Sequence, residues 1–481
     1  MSASFYFYDL ETSGINPRSA RIMQFAGQRT DMELRPLSEP DNLMIKLTED
    51  ILPEPDAVLV TGITPQATNV DGITEAEFLK YFENSIAQPE TIFVGYNNVR
   101  FDDEFMRFSH YRNFYDAYEW SWRDHRSRWD LLDVIRMTRA LRPEGIEWPF
   151  APDGKPSNRL ELLTSVNGLD HQNAHDALSD VYATIAVARL LKNKQPRLFD
   201  YLLNTRNKQA VKDLVETGKP FVYSSGKYPN SYQKTTVAVS LGAHPGKQGV
   251  LVYDLRRNPE DFVHMMPPEL ALAWRTYPED ETMRFPVKTL QFNRCPAVAP
   301  LSVVISDTVA RDNIRLDIET INTNYEKLLG YPNFVNNLRT ALKILDKKQQ
   351  TELLASSTDV DAQLYDGFFN DQDRTAISVV RAAGADEIAS LDIEFKDKRL
   401  TELLPLYKAR NFKSRLDADQ ISAWEKHRYQ YLLSGGESSR VNKFYKRLQE
   451  LSERKNLSTN DAYLLEELKL YADSIMPDES I

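Results

Sequence analysis

Asp9 and Glu11 alternate along the run Phe5-Tyr6-Phe7-Tyr8-Asp9-Leu10-Glu11-Thr12-Ser13-Gly14. Read as a strand, the run sets both carboxylates on one face, because side chains repeat every second residue. Two carboxylates about 7 Å apart along a strand repel one another and cost stability in a core, a cost that a cation between them removes. Taken alone, an Asp-x-Glu reads more simply as a half-buried edge strand with two solvated acids, so its meaning depends on partners elsewhere. Asp102 follows the short apolar strand Thr91–Tyr96, near a strand's carboxyl end, where open α/β folds gather ligands. Asp180 sits in a helical run over 174–191, with His175 at or just before its first turn. Asp9, Glu11, Asp102 and Asp180 together would make an oxygen-rich cage suited to magnesium or manganese. Phosphoryl transfer uses such a cage, with two divalent ions about 4 Å apart stabilising the attacking and leaving oxygens. His175, titrating near neutrality, could take the proton from an attacking water. Asp176, on the same helix face as Asp180, is an alternative ligand or an acid that complements the helix dipole.

The elements that must position these residues alternate in type up to about residue 195. Arg21–Thr30 and Leu43–Leu47 read as strands, Thr64-Pro65-Gln66 opens a helix, and Ile73–Ile86 carries helical apolar spacing. Pro143–Asn158 holds four prolines and two glycines and reads as a loop. This order predicts an α/β domain with a mixed sheet. Gln195-Pro196 marks its end, giving a first domain over 1–196. Over 197–354, short runs at Phe221–Tyr223, Thr235–Val239, Val250–Tyr253 and Val287–Phe292, separated by Pro and Gly, predict a small barrel with helices such as Tyr325–Leu329 appended. Residues 355–481 read as helical, most clearly Ala462–Met476, capped by Thr459 or Asn460.

The 481 residues, 27% charged and 42% hydrophobic, describe an ordinary soluble chain with ample core. No apolar run approaches the ~20 residues of a membrane span, and with Asp9 so near the start no signal or transit peptide is expected. A single cysteine, Cys295, excludes an intrachain disulfide and a thiolate zinc cage and fits a reducing cytoplasm. The net charge of −11 argues weakly against nucleic acid, but recognition depends on local patches. Asn97–Arg142 holds nine arginines, no lysine, ten aromatics and eight acids. Arginine binds phosphate bidentately and stacks on rings, and aromatic rings stack on unpaired bases with little sequence preference. Residues 206–257 carry nine Lys/Arg against three acids, and 395–415 carry seven against two, so basic surface from all three regions could line one channel. Core packing and local ion pairs account for at least half of the Arg-aromatic stretch.

The ordered set D-x-E-T-x-G, N-N-x-x-F-D and H-x-x-x-x-D resembles the DEDD exonucleases of RNase H-like fold, in the subgroup with His in the last motif. A tyrosine four before the last Asp, the mark of the other subgroup, is absent, since residue 176 is Asp. The runs 95–104, 111–116, 127–134, 195–202 and 360–365 extend the resemblance to the bacterial exodeoxyribonuclease I family, thinning between 220 and 350. That resemblance implies an RNase H-like exonuclease domain, an SH3-like β-barrel domain and an all-α C-terminal domain that close around one DNA strand. It implies that Asp9, Glu11 and Asp180 hold two Mg²⁺ ions (Mn²⁺ substituting), with Asp102 bound directly or through water, and that His175 is the general base. The implied activity removes 5′-mononucleotides from the 3′ end of single-stranded DNA, in repair and recombination. Arg107, Tyr118, Trp122, Arg136, Arg142 and Arg159, with Glu11, are the implied strand contacts. Arg142 and Tyr201 are also implied in docking the acidic tail of single-stranded DNA-binding protein, and the enzyme is expected to be a monomer. Two other readings stand beside this one: an RNA-directed relative, and a binding scaffold with a decayed nuclease fold.

Overall fold

The Phe/Tyr alternation of residues 5–8 makes a strand that is apolar on both sides, and the fold buries it on both. The computed structural model describes residues 3–169, 176–356 and 359–477. In it β1 (Ser4–Thr12) is the middle strand of a five-stranded mixed sheet with β2 (Ile22–Thr30), β3 (Asp41–Met44), β4 (Thr91–Gly95) and β5 (Ser127–Asp130), in the order β3-β2-β1-β4-β5. The edge-strand reading of Asp9 and Glu11 is therefore wrong: the edges are β3 and β5. Phe5 and Phe7 pack with Trp129 and the helix Ala177–Lys194 on one face. Tyr6, Tyr8 and Leu10 pack with Phe25, Phe82, Phe93 and Trp120 on the other. Each such ring contributes about 1.5–3 kcal/mol of burial, which anchors the strand that carries the acids.

The helix expected over 73–86 is Glu75–Tyr81 followed by a wider turn, Phe82–Ile86, and Thr64 caps the helix Pro65–Asp71 as its sequence suggests. The helix Pro196–Asn204 leaves the first unit but still leans on it, through Phe199 against Trp129 at 5.0 Å. The second unit is an antiparallel sheet of β6 (Phe221–Ser224), β7 (Thr235–Ala243), β8 (Gly249–Asp254), β9 (Val287–Gln291) and β10 (Ala297–Pro300), in the order β10-β6-β7-β8-β9. β10 escapes the sequence pattern because Pro296 and Pro300 bracket only three residues. One continuous core joins this sheet to the first, running from Phe5 and Leu131 to Val222 and Leu251.

From Val360 onward the described chain is helical. The last helix is Thr459–Ser474, and Ser458, not Thr459 or Asn460, caps it. This helical unit is fastened to the first by a buried ion network. Asp361 accepts from Arg21 at 2.5 Å and from Arg410 at 2.7 Å, and Arg410 also reaches Asp50 at 2.7 Å. Arg21 and Arg410 hold the Asp361 carboxyl well below the usual range despite its burial. Two other cations of 395–415 are spent inside the protein. Arg399 donates to the carbonyls of Gln363 and Gly367, Lys408 to those of Ala389 and Leu391, and Tyr407 joins the core. Arg399, Lys408 and Arg410 are thus internal cement, while Lys396, Lys398, Lys413 and Arg415 stay exposed and keep the basic surface expected of this stretch.

Candidate active site

β1 outruns its parallel neighbour. The β1–β4 pairing ends at Phe7–Val94, while β1 continues to Thr12 against β2. Asp9 and Glu11 thus lie past the carboxyl end of β4, with one side of their strand open. The chain leaving β4 turns sharply there, and a Cβ on Gly95 would sit 2.6 Å from that of Asn98, so only glycine fits. Asn97 follows with φ 72°, its amide held by Asp130 Oδ1 at 3.0 Å. Asp102 then starts the helix Asp102–Arg112 and is buried. The next residue fixes that start: Asp103 accepts from the Tyr8 hydroxyl at 2.5 Å and pairs with Arg128.

Asp180 arrives from the other side. Asp176 is the N-cap of the Ala177 helix, accepting from the Ser179 amide at 3.1 Å. Gln24, opposite Glu11 in the β1–β2 register, donates to Asp176 at 3.1 Å and accepts from the Ala177 amide at 3.3 Å. Gln24 therefore docks the helix start beside Glu11 and sets Asp180 one turn further in. Asp176 thus serves as the helix cap, and its charge also reaches Asp9 and Glu11. His175 lies outside the described residues.

The result is a set of carboxylate oxygens from Asp9, Glu11 and Asp180 that all lie within 4.8 Å of one another. Asp102 is not in that set but stands close enough to raise both Asp9 and Glu11. Burial, then the neighbouring Asp180 and Asp102, push the Glu11 carboxyl up to about 8. Burial pushes Asp102 up to about 8 as well, with Asp103 and Asp130 adding to it, and Asp9 is raised by burial and by Asp102. Dehydrated acids that repel one another are stable as anions only with a cation among them. All the donors are hard oxygens, the set that suits a divalent ion such as Mg²⁺ or Mn²⁺.

The expected strand contacts divide. Arg107 lies 5.5 Å over the Tyr118 ring, pairs with Glu104 at 2.7 Å and is buried. Trp122 is 60% exposed, as a stacking platform requires. Arg136 pairs with Asp133 at 2.5 Å, Arg142 with Asp307 at 2.9 Å, and Arg159 with Glu161 at 2.6 Å. The Tyr201 hydroxyl donates to the Val298 carbonyl at 3.1 Å. In the second unit, Lys227 stands among Arg100, Lys247 and Arg294, and burial and these cations push its ammonium down. Lys227 and Lys247 of the basic stretch 206–257 thus meet Arg100 of the first unit and Arg294 in one positive cluster.

A mixed sheet that delivers acids from a central strand and a late helix to one point beyond its parallel pair is the arrangement of RNase H-like exonucleases. The family model described as exonuclease matches residues 6–188, and the protein is a nuclease, a hydrolase dependent on divalent metal. The remaining chain narrows the class, since the models described as the exonuclease I SH3-like domain and the exonuclease I C-terminal domain match residues 206–343 and 358–475. The chain is 38% identical over 480 residues to exodeoxyribonuclease I of Haemophilus influenzae, covering 98% of this chain and 99% of that one. It is 41% identical over 434 residues to exodeoxyribonuclease I of Escherichia coli, covering 89% and 90%. Among solved structures, exonuclease I from Methylocaldum szegediense superposes with a TM-score of 0.90 at 40% identity, over 98% of this chain and 100% of that one. E. coli exonuclease I in complex with a dA16 oligonucleotide superposes with a TM-score of 0.90 at 38% identity, over 99% and 100%. The chain belongs to the exodeoxyribonuclease I family.

Proposed function

We propose that this protein degrades single-stranded DNA from the 3′ end to 5′-mononucleotides, by two-metal-ion hydrolysis, in DNA repair and recombination. The observation that carries the reading is the mutually close oxygen set of Asp9, Glu11 and Asp180 with Asp102 beside it. These four would hold two Mg²⁺ ions, which when bound supply the positive charge that stabilises the attacking and leaving oxygens. The chain's own residues do the rest. His175 accepts the proton of the attacking water. Tyr118 and Trp122 offer faces to unpaired bases, Arg136, Arg142 and Arg159 meet phosphates by exchanging their present carboxylate partners for the strand, and Arg107 meets phosphate while it keeps Glu104. The cluster of Lys227, Lys247, Arg100 and Arg294 supports a backbone track between the first two units.

A solved complex described as single-stranded DNA-binding protein and exonuclease I with an inhibitor superposes with a TM-score of 0.88 at 38% identity. It supports binding of that partner by this chain, and we assign its acidic tail to Arg142 and Tyr201, where the tail would compete with Asp307 for the guanidinium. We assign domains to 1–196, 197–354 and 355–481 and a monomeric, cytoplasmic enzyme. Among the described residues no helix is long and apolar enough to cross a membrane, and the lone Cys295 is buried. Digestion of matched single-stranded DNA and RNA with Mg²⁺ tests the substrate: DNA is lost faster, and faster loss of RNA overturns the assignment.

A further inference from the structure

Glu104 follows Asp102 by two residues on the same helix, so its side chain points about 200° away from that of Asp102, away from the metal carboxylates. It is where all three units touch one carboxylate. From its own helix, Arg107 donates to it at 2.7 Å. From the barrel unit, Arg294, just past β9, reaches it at 3.4 Å. From the helical unit, the Tyr365 hydroxyl donates to its other oxygen, and the Tyr365 ring stands edge-on to Phe108 at 5.7 Å. The side chain of Glu104 is only 15% exposed, so these charge-assisted bonds are little screened.

The stretch that brings Tyr365 in is pinned along its length. The Tyr111 hydroxyl donates to the Val360 carbonyl at 3.1 Å, Arg18 to that of Ala362 at 2.7 Å, and Arg399 to that of Gln363 at 2.8 Å. The stretch therefore crosses the first unit as a strap, bound to the helix that carries Asp102 at two places, Val360 on Tyr111 and Tyr365 on Glu104. On the barrel side, Arg128 donates to the Asn293 carbonyl at 2.8 Å, next to Arg294. An (i, i+3) pair with Arg107 alone would need neither Tyr365 nor Arg294.

We infer that Glu104 is a positioning residue: by holding Arg294 and Tyr365 to the Asp102 helix it keeps the three units closed around the strand. It thereby sets how many nucleotides leave per binding event, not the rate of each cleavage. This rests on the proposed single-strand exonuclease activity. The test uses the full chain, Glu104→Gln and Tyr365→Phe, and two readouts: run length on a long single strand with a competitor trap, and single-turnover cleavage of a trinucleotide. Glu104→Gln should shorten runs about tenfold and Tyr365→Phe about threefold, while trinucleotide cleavage stays within about twofold. The double variant should be no worse than Glu104→Gln, because both remove one junction. Run lengths within about twofold of wild type in both variants, or trinucleotide cleavage falling in proportion to run length, overturn the inference. If Glu104→Gln does not fold, Tyr365→Phe decides alone by the same criteria. A wild-type protein that leaves single strands intact refutes the activity itself, an outcome distinct from unchanged run length.

Discussion

Replacing Glu11 with Gln should make the metal-free protein more stable. Its carboxyl is buried beside Asp180 and Asp102 and pushed from 4.5 to about 8. Between those values the folded chain keeps a proton that the unfolded chain has released, so stability falls as pH rises through the window and levels off above it. Near pH 7 the loss is about 3 kcal/mol, at 1.36 kcal/mol for each unit above 4.5. Glutamine carries no such proton, and it also relieves Asp9 of one negative neighbour. In a chelator, melting curves of the two proteins should coincide near pH 4 and separate in favour of Glu11→Gln as pH rises to about 8. Added Mg²⁺ should raise the wild type and leave the variant nearly unmoved, because the wild type alone keeps the full oxygen set. A variant less stable than wild type in chelator at pH 8, or a gap that does not change with pH, would refute the picture of mutually repelling, dehydrated acids.

Asp9→Asn and Asp180→Asn should each lower hydrolysis by at least about 10³ while single-strand binding in chelator persists, read by nucleotide release and by fluorescence anisotropy. His175→Ala should lower kcat by roughly 10²–10⁴, and a variant within a few-fold of wild type removes His175 as the base. Arg410→Ala leaves Asp361 and Asp50 buried without a shared partner and should cost about 3–5 kcal/mol, read by urea denaturation. Gln24→Ala frees the start of the Ala177 helix and should raise the Mg²⁺ concentration for half-maximal activity about tenfold, with little change in strand affinity.

The acids were legible because their chemistry depends on local spacing: strand alternation puts Asp9 and Glu11 on one face, and a strand end delivers Asp102. What holds them was not. Gln24 and Asp103 matter through partners 152 and 25 residues away, Asp176 and Arg128, and nothing at their own positions marks them. The same limit applied to charge. The surplus of cations over 395–415 predicts a surface, and Lys396, Lys398, Lys413 and Arg415 do lie there, but Arg410 finds Asp50 at a sequence distance of 360 residues and is consumed inside the protein. The centrality of β1 was hidden for the opposite reason: its double apolar face, Phe5 and Phe7 against Tyr6 and Tyr8, is present in the sequence, but the two acids taken alone point to a half-buried edge.

The most direct test of the central claim is nucleotide release from 3′-labelled single-stranded DNA, with a blunt duplex of the same sequence alongside, in Mg²⁺ and in chelator. The account predicts prompt release of labelled 5′-mononucleotide from the single strand in Mg²⁺ only, and little from the duplex. Release in chelator would contradict the metal site, and equal release from the duplex would contradict enclosure of one strand.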